Sequence, residues 1–500
     1  MKDYSFGNYI CALRTGLGLS QFQLGNLVGV TDKAVSKWEN GDAKPRLSSC
    51  YRLAEVLGVS INELLSCEQY ITIPARKELD KMNQKLWNEA YESLSLYGKN
   101  PPAICWSRLA AEEAALQGTD AIQAYAVLGR IKAEALAHHT AIIVGGTIGS
   151  SFAAWLYGAT EVNPLPPHYI CVECGKVEFV SETDDGFDLP IKKCSCGKEF
   201  NRDGHCIPFE GYAKAEQNGT HIELRVSDNF KPIAVKILLD FYSGVAEVLP
   251  VKLHDKDDAW TVERYVILPE HKPKPALAND GFWHVDFEAY WQWHEDETTY
   301  TFLINDQLNK IEKLREVTGA NPPNPWEQMT PQMAEELYHR RCEKLSFITD
   351  KLTKEDHDFD LLLRIDLLSH ATGAWVENGE QLIMKGKATF RDIPAAREDI
   401  FNTISKALEQ NGIRDNGLAL LVMERTRKGL FCSRGMPEDI EKLLLSLGLP
   451  KWYPDYLKKV KYLFPKAHCI EYLLVDIIDE WYHMQYPQAY KKIHAENREN

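Results

Sequence analysis

Four cysteines carry the plainest chemistry in the chain. Cys171 and Cys174 form a Cys-x-x-Cys pair, and after nineteen intervening residues Cys194 and Cys196 form a Cys-x-Cys pair. Two close thiol pairs at that separation match a four-thiolate site for structural Zn²⁺, because tetrahedral zinc takes four ligands from two short knuckles. The stretch between them is then a small hairpin. The second pair is one residue tighter than usual, which leaves a decayed, metal-free knuckle as an alternative. A redox dithiol would need one pair at a helix start after a strand, and no such pattern surrounds either pair. The other eight cysteines (Cys11, Cys50, Cys67, Cys105, Cys206, Cys342, Cys432 and Cys469) are scattered singly and read as small buried hydrophobes.

Two further stretches could meet phosphate or nucleic acid. "GGTIGSS" places Ser150 and Ser151 at a glycine-rich turn into a helix, which suits phosphate oxygens. Without a P-loop lysine the same string also reads as a plain helix-entry turn. Residues 451–468 hold five lysines against one aspartate, interleaved with Trp452, Tyr453, Tyr456 and Tyr462. Basic charge beside aromatic rings suits a nucleic-acid strand or a triphosphate, with Lys458, Lys459, Lys461, Lys466 and His468 as contacts. A solvated helix face is the alternative.

The N-terminal segment reads as a string of short helices. Ser20 and Gln23 form a capping box that opens a helix with Leu24, Leu27 and Val28 inward. Thr31 caps "DKAVSKWEN", where Ala34, Val35 and Trp38 share the inward stripe and Asp32, Lys33, Ser36, Lys37 and Asn40 the opposite face; Gly41 stops it. The strings "LSQFQLGNLVGVTDKAVSKWENGDAKP" and "LAEVLGVSINELL" resemble the lambda-repressor/Cro type of helix-turn-helix. That resemblance implies that Thr31–Asn40 lies in the major groove of double-stranded DNA. Lys33, Ser36 and Lys37 would read bases, with Asn40 on the same face, and Gln21 would hold a phosphate. A homodimer on an inverted repeat is expected. Residues 1–66 hold seven basic and six acidic side chains, so a bundle used only for protein contact is the alternative.

The flanks of the cysteines are as distinctive as their spacing. "GSS", "TEVNPLPPHY", "GFDLP" and "DGHCIPFE" resemble the zinc-bearing palm of the PolC-type DNA polymerase III alpha subunit. "LLLRIDLLSHATGAW", "ERTRKGLFC" and "FPKAHCIEY" resemble its fingers. The matching blocks cover roughly residues 145–230 and 358–490, with a weaker one near 283–320. By this resemblance the chain is a truncated and degenerate polymerase, ending where the family's duplex- and clamp-binding parts would begin.

The family transfers nucleotides with two metal ions held by three aspartates. The matching positions here are His221 and Glu223, two apart and so on one face of a strand, and Thr301, which follows an anchor around Asp286. Mg²⁺ prefers hard oxygen ligands, so the expectation is a pseudoenzyme with no catalytic residues. The alternative is an active minimal DNA-directed DNA polymerase with Mg²⁺ on Glu223, Asp286 and Glu288. A third reading is a transcription factor whose polymerase part senses dNTP levels.

The elements that must position these groups are expected to make an α+β chain, mainly α. The 500 residues divide as a helix-turn-helix domain (1–67), a helical connector (68–143), a degenerate palm (144–300) with its zinc ribbon (168–208), a helical linker (301–352), a fingers-like domain (353–492) and a tail (493–500). The net charge of −15 argues against a surface that coats nucleic acid everywhere, so DNA contacts must be local. No apolar run of about 18 residues and no signal peptide is present, which predicts no membrane contact and a cytoplasmic location. Single-stranded or primed DNA, dNTP and replisome proteins are the expected partners of the polymerase-like part.

Overall fold

The computed structural model describes residues 5–40, 42–59, 64, 74–117, 119–146, 148–181, 183, 185–209, 220–254, 261–268, 277–286, 297–322, 331–342, 358–414 and 416–496. Gly41, Glu288 and residues 323–330 and 343–352 of the expected 301–352 linker lie outside them. Among the described residues no helix is long and apolar enough to cross a membrane.

Among the described residues the head contains the helices α1 (Ser5–Gly16), α2 (Gln21–Val28), α3 (Asp32–Glu39) and α4 (Leu47–Leu57). The capping box forms as the sequence requires: Gln23 N–H donates to Ser20 Oγ at 3.1 Å and Ser20 N–H to Gln23 Oε1 at 2.8 Å. Gly29 ends α2 in the left-handed region, and Thr31 Oγ1 accepts from Ala34 N–H to start α3. Ile10, Leu24, Val28, Val35, Trp38 and Leu53 close a core confined to the head. Leu27 is not in it; placed inward by sequence, it is 57% exposed. The α2 turn is short, so its buried stripe takes Leu24, Gly25 and Val28 and rotates Leu27 out.

The remaining chain forms two lobes. The first contains α5 (Pro74–Glu92), α6 (Ala103–Ala115), α7 (Ala121–Ala137), α8 (Phe152–Leu156) and α9 (Lys231–Tyr242) around a six-stranded sheet. Its strands are β1 (Ile143–Val144), β5 (His221–Val226), β6 (Glu247–His254), β7 (Thr261–Leu268), β8 (Trp283–Asp286) and β9 (Thr299–Ile304), in the order β1-β5-β9-β7-β6-β8. A separate small sheet, with β2 (His168–Ile170) between β3 (Val177–Phe179) and β4 (Asn201–Asp203), carries the cysteines.

Two expected boundaries shift. Trp87, Tyr97, Leu109, Tyr125 and Leu128 share one core with Phe152, Leu224, Tyr300 and Phe302. The helices expected to be a connector are therefore part of the palm-like lobe, because their apolar faces have no other surface to bury. Residues 301–304 belong to β9 rather than to a linker, and the sheet ends only at Ile304.

The second lobe is helical: α10 (Asp306–Thr318), α11 (Pro331–Cys342), α12 (Phe359–His370), α13 (Arg397–Gln410), α14 (Gly417–Arg427), α15 (Glu438–Ser446), α16 (Trp452–Leu457), α17 (Lys466–Gln485) and α18 (Pro487–Glu496). Two buried ammonium groups fasten it to the first lobe. Lys466 Nζ donates to His205 O at 2.8 Å, and Lys132 Nζ lies 3.4 Å from Glu161 and 3.6 Å from Glu471. Burial works against both charges, but neighbouring carboxylates outweigh it and raise both pKa values.

Candidate functional site

On α3, Lys33, Lys37 and Asn40 are exposed and Ser36 is half-buried, all on the face away from Val35 and Trp38. Asn40 Nδ2 lies 3.4 Å from Ser36 Oγ, which ties the end of that face together. Gln21 is placed differently from a free phosphate ligand, since its Nε2 donates to Glu39 Oε2 at 2.8 Å. Glu39 also takes Arg14 Nε at 2.5 Å and Nη2 at 2.9 Å. Burial penalises the Glu39 charge, yet the Arg14 and Gln21 hydrogen bonds win and hold its carboxyl below the usual range. Gln21 thus locks α2 to the end of α3.

The four cysteines converge. All four Sγ atoms lie within 4.8 Å of one another, with 3.5 Å between Cys171 and Cys196 and between Cys174 and Cys194. A tetrahedral Zn–S site with bonds of about 2.3 Å has edges of roughly 3.8 Å, so the donor set fits such an ion. Each knuckle closes on a glycine: Gly175 (φ 70°) N–H donates to Cys171 O, and Gly197 (φ 90°) N–H to Cys194 O. A Cβ on Gly175 would stand 2.4 Å from Gly98 Cα, so the knuckle also presses on the loop after α5. In the tighter Cys-x-Cys pair, Cys194 N–H bonds Lys198 O across the turn at 2.7 Å.

In the large sheet β5 and β9 run parallel, with His221 opposite Thr299 and Glu223 opposite Thr301. His221 Nδ1 sits 2.9 Å from Thr299 Oγ1. The one carboxylate of the three expected metal positions is Glu223, and Arg225 Nη2 holds it at 2.9 Å. Gly145 packs against it, its N–H donating to Glu223 O at 2.7 Å. Asp286 is on the opposite edge of the sheet: β9, β7 and β6 lie between β5 and β8. Four strand spacings amount to about 19 Å, whereas paired catalytic metals stand about 4 Å apart. Glu223 and Asp286 therefore do not share one metal site.

The glycine-rich turn is closed. Ser150 and Ser151 are fully buried, and the start of α8 is filled by the chain's own carboxylate. Glu112 accepts from Phe152 N–H at 2.8 Å, Ala153 N–H at 3.0 Å and Ser151 Oγ–H at 2.9 Å, while Arg108 Nε donates to it at 2.6 Å. No room is left there for phosphate.

The lysine-rich surface divides in the same way. Lys466 is buried in the joint already described, so it is not a surface contact. Lys458 is committed to Glu441 at 2.7 Å and Asp455 at 3.2 Å. Tyr453 and Tyr456 are core residues, which removes them as stacking platforms. Lys459 and Lys461 remain exposed beside Tyr462; Lys459 Nζ donates to Glu377 O at 2.8 Å. Gly146 N–H donates to His468 Nδ1 at 2.9 Å. Burial first, then the nearby Arg225 and His370 charges, lower the His468 pKa to about 4.

Between the lobes, Arg225, His370, Phe464, His468 and Tyr472 line a cavity of about 520 Å³. Arg225 stacks over Tyr472 with 5.6 Å to the ring centre. The sequence points to His468 but to neither Arg225 nor Tyr472. The four-residue spacing of Phe464, His468 and Tyr472 is visible in it, but nothing there says that β5 faces the row.

Residues 12–64 match the helix-turn-helix family HTH_3. Beyond the head, the chain is similar to DNA polymerase III PolC-type of several bacteria. The Lacticaseibacillus paracasei protein is 29% identical over 469 residues, which cover 79% of this chain and 32% of that one. The Listeria welshimeri protein is 26% identical over 487 residues, covering 82% and 32%. For Bacillus cereus the figures are 28% over 454 residues, 77% and 31%. The chain thus spans about a third of the length of these relatives. An 82% match cannot fit within residues 144–500, so it reaches into α5–α7, in keeping with their shared core. The chain joins a Cro/lambda-type helix-turn-helix domain at its N-terminus to a longer segment similar to PolC-type DNA polymerase III.

Proposed function

We propose that this chain is a site-specific DNA-binding regulator whose polymerase-like part binds without catalysing nucleotide transfer. The observation that carries the second half is the state of β5 and β9. Of the three positions that resemble the family's metal ligands, two are His221 and Thr301, and the third, Glu223, is already paired with Arg225. Stabilising developing charge with metal is the largest single contribution in such chemistry, and one engaged carboxylate does not hold two ions.

In this reading α3 enters the major groove as part of a homodimer, with Lys33, Ser36, Lys37 and Asn40 at the bases. The ribbon ion is zinc, with a structural role. Lys459, Lys461 and Tyr462 offer the remaining surface to a nucleic-acid strand, and a DNA-binding protein of this kind works in the cytoplasm.

Primer extension with Mg²⁺ or Mn²⁺ tests the proposal, run beside a Glu223→Ala control. No templated product is expected. Synthesis by the wild type that disappears in the control would refute it and establish the active polymerase instead. Footprinting on the DNA upstream of its own gene tests the regulator half, where a protected inverted repeat is expected.

A further inference from the structure

The outer edge of the large sheet carries a histidine pair far from β5 and from the cysteine ribbon. β8 is the last strand of that sheet and pairs in parallel with β6, which pairs on its other side with β7. His254 ends β6, opposite Thr261 of β7 and Asp286 of β8, and His284 lies two residues before Asp286. His254 Nε2 and His284 Nδ1 face each other at 2.9 Å, with ring centres 5.0 Å apart and planes 20° from parallel. His254 is half-buried and His284 is exposed, so the pair is open to solvent ions.

Each ring is also held from its far side. His284 Nε2–H donates to Asp280 Oδ2 at 2.9 Å, which leaves a lone pair on Nδ1 of the neutral ring. The same oxygen takes Lys252 Nζ at 2.7 Å, and Asp280 Oδ1 takes the Phe282 N–H at 3.2 Å, so the carboxylate is fixed in place. Thr261 Oγ1 lies 3.3 Å from His254 Nδ1. A hydroxyl accepts as well as donates, so His254 can keep its proton on Nδ1 and turn a second lone pair inward from Nε2. Two lone pairs facing at this distance repel unless a proton or a cation stands between them. Imidazoles oriented from behind by a carboxylate or another acceptor are how histidines hold metal ions.

The spacing selects the kind of ion. With metal–nitrogen bonds of about 2.0–2.1 Å, two ligands at right angles stand about 2.9 Å apart, and two tetrahedral ones about 3.3–3.4 Å. The observed 2.9 Å is the right-angled value. Aiming both lone pairs at one ion brings the ring centres from 5.0 Å to about 4.5 Å, a tilt that the broad terminal torsion of histidine allows. Imidazole nitrogen in square or octahedral geometry suits Cu²⁺ or Ni²⁺, whereas the four thiolates of the ribbon suit tetrahedral zinc.

We propose that His254 and His284 bind a divalent late first-row ion, Cu²⁺ or Ni²⁺, in neighbouring positions of its coordination sphere, with water in the others. Asp280 and Thr261 are positioning residues for the two rings. Because the ligands come from adjacent strands, the ion clasps the edge strand β8 to β6.

Electron paramagnetic resonance and titration calorimetry on the zinc-replete, full-length protein test this, with Cu²⁺ held by iminodiacetate as the probe. The chelator shields the ion from the ribbon thiols and leaves positions open for two imidazoles. One equivalent should bind, with splittings from two imidazole nitrogens, and excess Mg²⁺ should not compete. His254→Ala and His284→Ala should each weaken binding about a hundredfold, since each leaves a single ligand. Asp280→Asn should weaken it about tenfold, and Cys174→Ser should leave the nitrogen spectrum unchanged. No binding, a spectrum lacking the second imidazole, binding that survives His254→Ala, or loss of the signal in Cys174→Ser overturns the proposal. If a histidine variant fails to fold, the wild-type spectrum and Asp280→Asn decide.

Discussion

Replacing Glu112 with alanine should unfold the palm-like lobe far more easily than its position on a surface-lying helix suggests. The carboxylate is fully buried and gathers four donors: two backbone N–H groups at the start of α8, the Ser151 hydroxyl and the Arg108 guanidinium. Alanine leaves all four without their acceptor. Removing one partner of a buried ion pair costs about 3–5 kcal/mol, and the orphaned amides act in the same direction. Arg108 keeps its bonds to Ile207 O at 2.8 Å and Ser150 O at 2.6 Å, so it cannot swing out to water without further loss. For a unit of this size each kcal/mol is worth about 2–4 °C in midpoint, so Glu112→Ala should lower the melting transition by roughly 10 °C. Glu112→Gln keeps the volume but turns an NH₂ toward donors, and should fall between. Combining Glu112→Ala with Arg108→Ala should cost less than the two singles together, because the stranded charge is gone. Scanning calorimetry and urea titration give both numbers. A loss below about 1 kcal/mol for Glu112→Ala, or strict additivity in the double variant, would refute the picture of a helix start sealed by its own carboxylate.

Three further outcomes follow from the sites. Natively purified protein should carry about one zinc per chain, and Cys174→Ser should abolish it and expose the small sheet to protease; elemental analysis without zinc rejects the site. Lys33→Ala should relax operator preference by about 1–3 kcal/mol for each base that the lysine reads, measured by competition binding against scrambled sites. His468 titrates at about 4 when folded against an ordinary 6.5, so the unfolded chain takes up its proton first. Its contribution is complete above pH 6.5 and fades as pH falls toward 4, amounting to at most about 3 kcal/mol. Stability curves of wild type and His468→Gln should therefore converge as the medium is acidified from pH 7 to 4; parallel curves would reject the assignment.

What can be read from sequence is whatever depends on near neighbours. The capping box at Ser20 and Gln23, the outward face of α3 and the two thiol pairs are all set by residues a few positions apart, and each takes the expected form. The errors arise where a group's partner comes from a distant segment. Ser151 is closed by Glu112, 39 positions earlier, and Lys466 is consumed by His205, 261 positions earlier. No local pattern marks either. The helices of α5–α7 read as a connector because an amphipathic period shows that a face is buried, not against what. Leu27 fails for the smaller reason that a two-turn helix leaves its apolar stripe loosely defined.

The joint made by Lys132 and Lys466 bears on motion. Separating the lobes would strip two ammonium groups from partners on the other side and leave buried charge on both, at several kcal/mol each. A polymerase in turnover must close on each nucleotide and reopen to release product. With both contacts intact the two lobes resist separation, so the cleft between them should keep one width.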